Sequence, residues 1–378
     1  MKTKTYAIVS SMYPPHVGGV ERYSYNLAKK LASNGNRVIV ITSGEGQIEE
    51  EDGIRKYYLP SFLFLDGRLP VIKYGKRFKE LVVTLKKEKI DYIIINTRFY
   101  TLSLWASKFA YKEGIPAILI EHGSSHLTFN NKFLDFFVHI YEHGITWCVK
   151  KYPKKYYGVS QDACKWMEHF GIYGSGTLYN AMNLEQINEI QTINYREKLG
   201  LKVSDFIVTY VGRVVGGKGI LELNQAMKKI NKKNPNAYLI IAGDGPYMKE
   251  VEKKKGTNTI LLGRIAYDHV ISLLRSADVF CLPSETEGFP TSVLEAVACK
   301  CFVVTTKAGG SKELITSDEL GIIMDNNSAE CIESALERVM DNAHLRETAA
   351  EKCYTRLKEN FTWDVVAQKT EEIFNSEN

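Results

Sequence analysis

Short apolar runs alternate with helix-periodic segments along most of this chain. The first two apolar runs cover residues 6–11 and 37–42. Between them Val20, Tyr23 and Leu27 recur at the spacing of one helix face. A strand, a helix and a second strand in this order predict a parallel sheet, because only a crossover helix joins parallel strands so compactly.

The same alternation restarts after about residue 200, so we predict an α/β protein with two doubly wound, Rossmann-like units in tandem. A chain of 378 residues is also too long for one ordinary core. The further apolar runs that we interpret as strands are 91–96, 116–121, 156–160, 205–212, 237–245, 258–263, 277–283, 301–306 and 321–325.

The stretch 178–196 is polar with little periodicity, and we place the linker there. This divides the chain into predicted domains at 1–180 and 181–360. A final amphipathic helix follows at 361–375. Open parallel sheets bind ligands at the carboxyl ends of their strands, so two such sheets could face each other across a cleft lined by loops.

Composition argues against several classes of protein. No apolar stretch approaches the roughly 20 residues that a membrane-spanning helix needs. The apolar N-terminal segment is short and no small-residue cleavage site follows, so we interpret it as a first strand and not as a signal peptide. Seven cysteines in a large chain argue against a disulfide framework and favour a cytoplasmic location.

The charge is distributed unevenly along the chain. Residues 1–180 hold 25 basic and 16 acidic side chains, a net charge of +9, whereas the remainder has a net charge of −4. A basic first half suggests that this half meets an anionic partner.

Two glycine-rich loops follow predicted strands. Gly18 and Gly19 precede the first helix, where backbone N–H groups can approach an anion closely. Arg213 and Lys218 flank two glycines in the second half, and two fixed cations suit a diphosphate. A tight turn and two solvated surface cations explain these stretches about equally well. Neither loop has the dinucleotide or Walker A spacing.

Two glutamates, Glu287 and Glu295, stand eight positions apart around the sequence Gly-Phe-Pro. Like charges at close range raise each other's pKa, and a vicinal diol between them would relieve the repulsion by donating to both carboxylates. A solvated loop acid and a glutamate that favours the helix dipole form the simpler alternative. That alternative accounts for Glu295 but not for the intervening Gly-Phe-Pro.

His122 ends a predicted strand, where an imidazole can donate to developing charge, although a polar packing residue is the alternative. The sequence contains neither an HExxH nor an Asp-x-Asp motif, so we predict no metal site.

Together these stretches resemble glycosyltransferase family 4, retaining enzymes of the GT-B fold. The resemblance implies two Rossmann-like domains across a cleft, an N-terminal acceptor-binding domain, and a C-terminal helix, 361–378, that packs back on it. The matching pieces are 15–21, 212–219, 243–246, 284–296 and 309–313, with 178–183 as the hinge.

The resemblance also implies roles for single residues. Arg213 and Lys218 would neutralise the donor's diphosphate, Glu287 would bind the transferred sugar, and His122 would contact that sugar and help to stabilise the transition state. These four are the expected catalytic residues. The other residues expected to bind the donor are Gly18, Gly19, Phe289, Thr291, Ser292 and Glu295.

The implied function is transfer of a hexose or related sugar from a nucleotide-diphosphate sugar to a glycan or polyprenyl-linked acceptor, without a metal cofactor, in polysaccharide, capsule or glycolipid biosynthesis. A nucleotide-sugar epimerase of the same fold and a non-catalytic nucleotide-sugar scaffold are the alternatives. A nicotinamide oxidoreductase is disfavoured because its glycine spacing is absent. We expect no nucleic-acid partner.

Three stretches of the first half suggest peripheral contact with an anionic membrane. Residues 71–89 predict a cationic helix with an apolar face, residues 147–157 interleave Lys with aromatic residues, and residues 61–65 are apolar within a predicted loop. Solvated helix faces and a core strand are the alternative explanation.

Overall fold

A computed structural model describes residues 3–16, 18–65, 67–128 and 131–376. Val17 of the motif at 15–21 and the last two residues of the expected helix 361–378 lie outside the described residues. The chain forms two compact units, one made of Met1–Asn180 with Trp363–Asn378 and the other of Ala181–Thr362.

Unit 1 is a mostly parallel sheet with the strand order β3-β4-β2-β1-β6-β7-β8-β9, and β5 pairs with β4. Its strands are β1 (Thr5–Val9), β2 (Arg37–Gly44), β3 (Ile48–Glu51), β4 (Ile54–Phe64), β5 (Leu69–Ile72), β6 (Tyr92–Asn96), β7 (Ala117–Glu121), β8 (Lys155–Gly158) and β9 (Gly176–Thr177). Its first five helices are α1 (Gly19–Ser33), α2 (Lys76–Lys86), α3 (Thr101–Glu113), α4 (Lys132–Val149) and α5 (Gln161–Glu168).

Unit 2 is an all-parallel sheet with the order β12-β11-β10-β13-β14-β15. Its strands are β10 (Phe206–Val211), β11 (Ala237–Ala242), β12 (Thr259–Gly263), β13 (Val279–Leu282), β14 (Phe302–Thr306) and β15 (Ile322–Met324). Its helices are α6 (Leu184–Glu189), α7 (Tyr195–Lys198), α8 (Ile220–Lys233), α9 (Met248–Lys254), α10 (Tyr267–Ser276), α11 (Thr291–Ala298), α12 (Ser311–Leu314), α13 (Ala329–Met340) and α14 (Ala343–Asn360).

The central strands form the cores of the two units. Every residue of β1, β6 and β10 is buried, which is why these strands are apolar on both faces. The strand order of unit 2 reverses direction between β10 and β13. Ligands of open α/β sheets bind beside such a reversal, at the carboxyl ends of the strands. The predicted fold class, two Rossmann-like α/β units, is confirmed.

The last helix, α15 (Trp363–Asn375), follows unit 2 in the sequence but belongs to unit 1. The ring of Phe374 stacks on Tyr92, with 4.4 Å between centroids, and Trp363 packs edge-on against Tyr23 at 5.1 Å. Burial of these aromatic rings holds the chain's last helix on the first unit.

Two local predictions were wrong. Residues 61–64 belong to strand β4, which pairs antiparallel with β5, and not to a loop. The predicted linker is largely ordered on unit 2, because Ser272 and Ser276 of α10 accept the backbone N–H groups of Ile193 and Tyr195. Its polar composition thus reflects hydrogen bonding and not solvent exposure alone.

Two other sequence expectations concern the membrane and the cysteines. No described helix combines the length and the apolar character needed to cross a bilayer. All seven cysteines are free thiols, as the sequence predicts.

Candidate donor-binding site and the histidine loop

Three loops of unit 2 converge at the carboxyl ends of β10, β13 and β14. Lys218, in the loop after β10, forms an ion pair with Glu287, in the loop after β13, and Nζ lies 2.5 Å from Oε1. Both side chains are mostly shielded, with 18% and 16% exposed. Arg213 lies in the same loop as Lys218, and its carbonyl accepts a hydrogen bond from the hydroxyl of Tyr210 at 2.8 Å. The structure therefore brings together the predicted cations and the first predicted carboxylate.

Glycines allow these loops to approach so closely. Gly219 adopts φ +66°, and a Cβ there would lie 2.1 Å from the carbonyl oxygen of Pro283. Gly309 adopts φ +58°, and a Cβ there would lie 2.4 Å from the carbonyl oxygen of Gly288. A side chain at either position would push neighbouring backbone apart, since real Cβ atoms do not come this close.

Helix α11 begins at Thr291, immediately after Pro290. The first amides of a helix, here those of Thr291 and Ser292, have no partner within the helix and are suited to an anion. Glu295 is the fifth residue of α11 and is only 4% exposed. The sequence analysis placed it near the first turn, and the structure places it just beyond that turn.

Phe289 differs from the other predicted donor-binding residues because its side chain packs inside unit 2. It is 6% exposed, and its ring lies 5.4 Å from that of Phe361. Gly310 packs on the same ring, since a Cβ there would lie 2.0 Å from Cδ2 of Phe289. Only the backbone of Phe289 is therefore suited to contact a ligand, while its side chain anchors the loop that carries Glu287.

Tyr210 reports on the electrostatics of this region. Burial raises the pKa of its phenol well above the usual range, the charge of Glu287 raises it further, and Arg213 opposes the shift. The phenol is thus neutral at pH 7 and donates its hydrogen bond to the Arg213 loop.

A cavity of about 540 Å³ in unit 2 lies elsewhere. Its lining includes Asp278, which directly precedes β13, and Arg196, whose guanidinium lies 2.7 Å from that carboxylate. It therefore opens at the amino ends of the strands, whereas the loops of Lys218 and Glu287 follow the carboxyl ends. We do not assign the donor to this cavity.

In unit 1, His122 directly follows β7. Its Nε2 lies 2.8 Å from Oδ1 of Asn96, the last residue of β6, and its ring meets that of Tyr23 edge-on at 4.8 Å. Burial lowers the pKa of His122 to about 4. At pH 7 the imidazole is therefore neutral, a form that donates one hydrogen bond and accepts another.

A buried ionic chain supports the His122 loop. Oε1 of Glu121 accepts the backbone N–H groups of His122 and Gly123, each at 3.0 Å. Arg98 pairs with Glu121 through one nitrogen and with Glu142 through the other, and all three side chains are at most 1% exposed. The sequence analysis missed Arg98 and Glu142, although a cation directly after the apolar run 91–96 was a usable signal.

The glycine pair of unit 1 lies at the start of α1. Gly18 is the N-cap in extended backbone, and α1 begins at Gly19. A Cβ at Gly19 would meet no atom within 4 Å, so there is open space beside the first helical residue. This space is what an anion approaching the helix amides requires.

Comparison with known proteins decides the family. Residues 17–186 match the family described as Glycosyltransferase Family 4, and residues 191–356 match the family described as Glycosyl transferases group 1. The chain belongs to the family 4 glycosyltransferases. This glycosyltransferase is therefore an enzyme, and the resemblance stated from its motifs is confirmed.

Individual relatives are distant but match over the full length. An uncharacterized glycosyltransferase of Methanocaldococcus jannaschii is 23% identical over 97% of each chain. One polypeptide of the phosphatidylinositol N-acetylglucosaminyltransferase from Arabidopsis thaliana is 24% identical over 97% of this chain and 81% of its own. Among solved structures, Anabaena Alr3699/HepE in complex with UDP-glucose superposes with a TM-score of 0.74 at 18% identity, over 98% of this chain and 99% of its own. These likenesses establish the GT-B fold.

Proposed function

We propose that this glycosyltransferase moves a hexose or related sugar from a nucleotide-diphosphate sugar to a glycan or lipid-linked acceptor, with retention of anomeric configuration. The observation that carries the proposal is the Lys218–Glu287 pair, beside Arg213 and the first amides of α11. It sets cations and anion-binding amides next to a carboxylate, as a diphosphate joined to a polyol demands. The complex of HepE with UDP-glucose and the name of the Arabidopsis relative are consistent with such a donor.

The reaction breaks the bond between the anomeric carbon and a diphosphate oxygen. The acceptor hydroxyl forms the new bond on the same face, and its proton passes to the departing diphosphate oxygen. Negative charge grows on the diphosphate as the bond breaks. Arg213, Lys218 and the amides of Thr291 and Ser292 stabilise it, so that no metal ion is required at this position.

Carboxylates and the histidine orient the rest of the donor. Glu295 accepts from the ribose hydroxyls, and Glu287 accepts from hydroxyls of the transferred sugar. The neutral imidazole of His122 hydrogen-bonds to the sugar and supports the oxocarbenium-like transition state. The amides at Gly18 and Gly19 add contacts to the diphosphate.

The proposed acceptor is lipid-linked because unit 1 exposes an apolar helix face. Phe133 and Phe136 of α4 are 76% and 60% exposed, and Phe137, Ile140 and Trp147 continue the same face. Lys151 lies over the ring of Trp147, with Nζ 3.2 Å from its centroid. Aromatic rings flanked by lysines are typical of segments that rest on anionic membranes.

The three stretches singled out in the sequence contribute unequally to this surface. In α2, within 71–89, the apolar residues Phe78, Leu81 and Leu85 are buried in the core, which leaves mainly the lysines outside. Phe62 and Phe64 of β4 are half exposed. The face of α4 is the largest apolar contribution, and the sequence analysis did not predict this helix.

A donor screen tests the proposal. UDP- and GDP-sugars are compared for the rise in melting temperature that each produces, because a ligand that binds only the folded state stabilises it. We expect one nucleotide series to stabilise the enzyme. With an accepting lipid-linked glycan, the product should carry the donor's anomeric configuration by NMR. Binding of no nucleotide sugar, or a product with inverted configuration, would contradict the proposal.

A further inference from the structure

Three histidines of unit 1 meet at one point outside the donor loops. His126 lies in the loop between β7 and α4, His143 lies on α4, and His169 directly follows α5. One ligand nitrogen of each lies within 4.8 Å of the others. Histidines separated by 17 and 26 positions are thus brought together by the fold alone.

The spacing fits a transition-metal ion. Nε2 of His143 and Nε2 of His169 are 3.3 Å apart. Two imidazoles bound to a tetrahedral Zn²⁺ at about 2.0–2.1 Å have their nitrogens about 3.3–3.4 Å apart. His143 and His169 are exposed, so an ion and a water molecule have access.

His126 already has the outer partner that metal-binding histidines use. Its Nδ1 lies 2.7 Å from Oε2 of the buried Glu142. A carboxylate on Nδ1 leaves Nε2 for the metal and fixes the tautomer and ring orientation. The ring of His139 stacks on His126 at 4.1 Å, and Trp166 stacks on His169 at 5.0 Å, which restricts both imidazoles further.

Charge gives an independent reason for a cation here. Arg98 carries one positive charge between the carboxylates of Glu121 and Glu142, and all three groups are buried. The set therefore has a net charge of −1 in a place where uncompensated charge is unfavourable. A metal-bound His126 that donates to Glu142 would supply the missing positive charge.

We propose that His126, His143 and His169 bind one divalent transition-metal ion of the Zn²⁺ type, with water as a fourth ligand. The ion ties the loop after β7 to α4 and α5. Through Glu142, Arg98 and Glu121 it also steadies the backbone N–H of His122. The site is structural, and it is separate from the diphosphate, for which no metal is proposed.

The test is a Zn²⁺ titration of the full chain, purified without a histidine tag and stripped with a chelator that is then removed. Calorimetry should show one ion per chain, and Zn²⁺ should raise the melting temperature. Co²⁺ in the same protein should give the visible spectrum of a tetrahedral site. The exposed position of His169 makes His169→Gln a variant that should fold, which circular dichroism checks.

His169→Gln should weaken Zn²⁺ binding by more than about 100-fold, since loss of an outer-sphere partner alone weakens it about 10–100-fold. His344→Gln removes an exposed histidine of unit 2 and should bind Zn²⁺ like the parent. Absence of saturable binding, or equal affinity in His169→Gln, would overturn the proposal and leave a hydrogen-bonded histidine cluster. UDP affinity, measured on the same samples, separates this outcome from failure of the donor proposal.

Discussion

Lys218 and Glu287, 69 positions apart in the sequence, form an ion pair at the switch point of the second sheet. In the free enzyme each neutralises the other. When a donor binds, the ammonium can turn to the diphosphate while the carboxylate accepts sugar hydroxyls. The pair thus keeps both groups in place without leaving an isolated charge.

Lys218→Ala should lower kcat about 100- to 1000-fold, the usual loss when one group that stabilises transition-state charge is removed. UDP affinity should fall too, because the diphosphate loses a cation. Lys232→Ala, at an exposed position in the last turn of α8, is the matched control and should retain parental kcat. Steady-state kinetics and calorimetry measure both. A Lys218→Ala enzyme with parental kcat would refute the assigned role.

Gly310→Ala should destabilise unit 2 by about 1–3 kcal/mol, since the new Cβ overlaps the buried ring of Phe289. It should also weaken UDP binding, because Phe289 anchors the Glu287 loop. Gly263→Ala separates strain from overlap: Gly263 has φ +65°, and a Cβ there meets no atom within 4 Å. That control should lose about 1–2 kcal/mol through its backbone alone and bind UDP normally. Denaturant titration and calorimetry decide. Equal UDP binding in the two variants would show that the ring does not position the loop.

His122 should make stability depend on pH. The pKa is 6.5 in the ordinary state and about 4 in the folded one. Below pH 6.5 the unfolded chain takes up a proton that the folded chain refuses, so stability falls as the pH falls towards 4. The loss should reach on the order of 3 kcal/mol relative to His122→Asn, whose curve lacks this group. Urea unfolding of both proteins from pH 7 to pH 4 measures it. Parallel curves would show that His122 titrates normally.

Phe136→Ser combined with Phe137→Ser should weaken binding to vesicles of anionic phosphatidylglycerol at least about tenfold, because each lost aromatic ring removes buried apolar area worth about 1.5–3 kcal/mol when fully buried. Val203→Ser, at an exposed position in unit 2, is the control and should bind like the parent. Flotation at two salt concentrations provides the measurement. Parental binding that is absent, or indifferent to both salt and the two substitutions, would remove the membrane from the proposal.

EDTA should leave turnover largely intact, because fixed cations take the place of a metal at the diphosphate. In the parent enzyme EDTA should still lower the melting temperature by emptying the histidine site. In His169→Gln it should change neither property. Near-total loss of turnover that Mg²⁺ or Mn²⁺ restores, in the parent and in His169→Gln alike, would mean that the donor site itself uses a metal.

The fold class and most of the donor loop residues could be predicted from sequence alone. Strands such as 92–96 and 206–211 are buried on both faces, so their apolar character is visible without a structure. Arg213, Lys218, Glu287 and Glu295 occur at strand ends and helix starts, where short-range spacing carries the signal. The predicted roles of these residues await the experiments above.

Other features depended on tertiary contacts. Residues 61–64 are a strand because β5 pairs with them, and Phe289 is a core residue because Phe361 and Gly310 enclose it. Helix α4 shows no simple polar face, because its aromatic residues lie on its exposed side.

Periodicity along the chain thus determined which segments are strands and helices, since it records whether a segment is buried on one side or both. The meeting of Arg98 with Glu142, and of His126 with His143 and His169, was decided only by the fold. Such contacts join distant segments through side-chain charge and geometry, and no local pattern in the sequence records which segments will become neighbours.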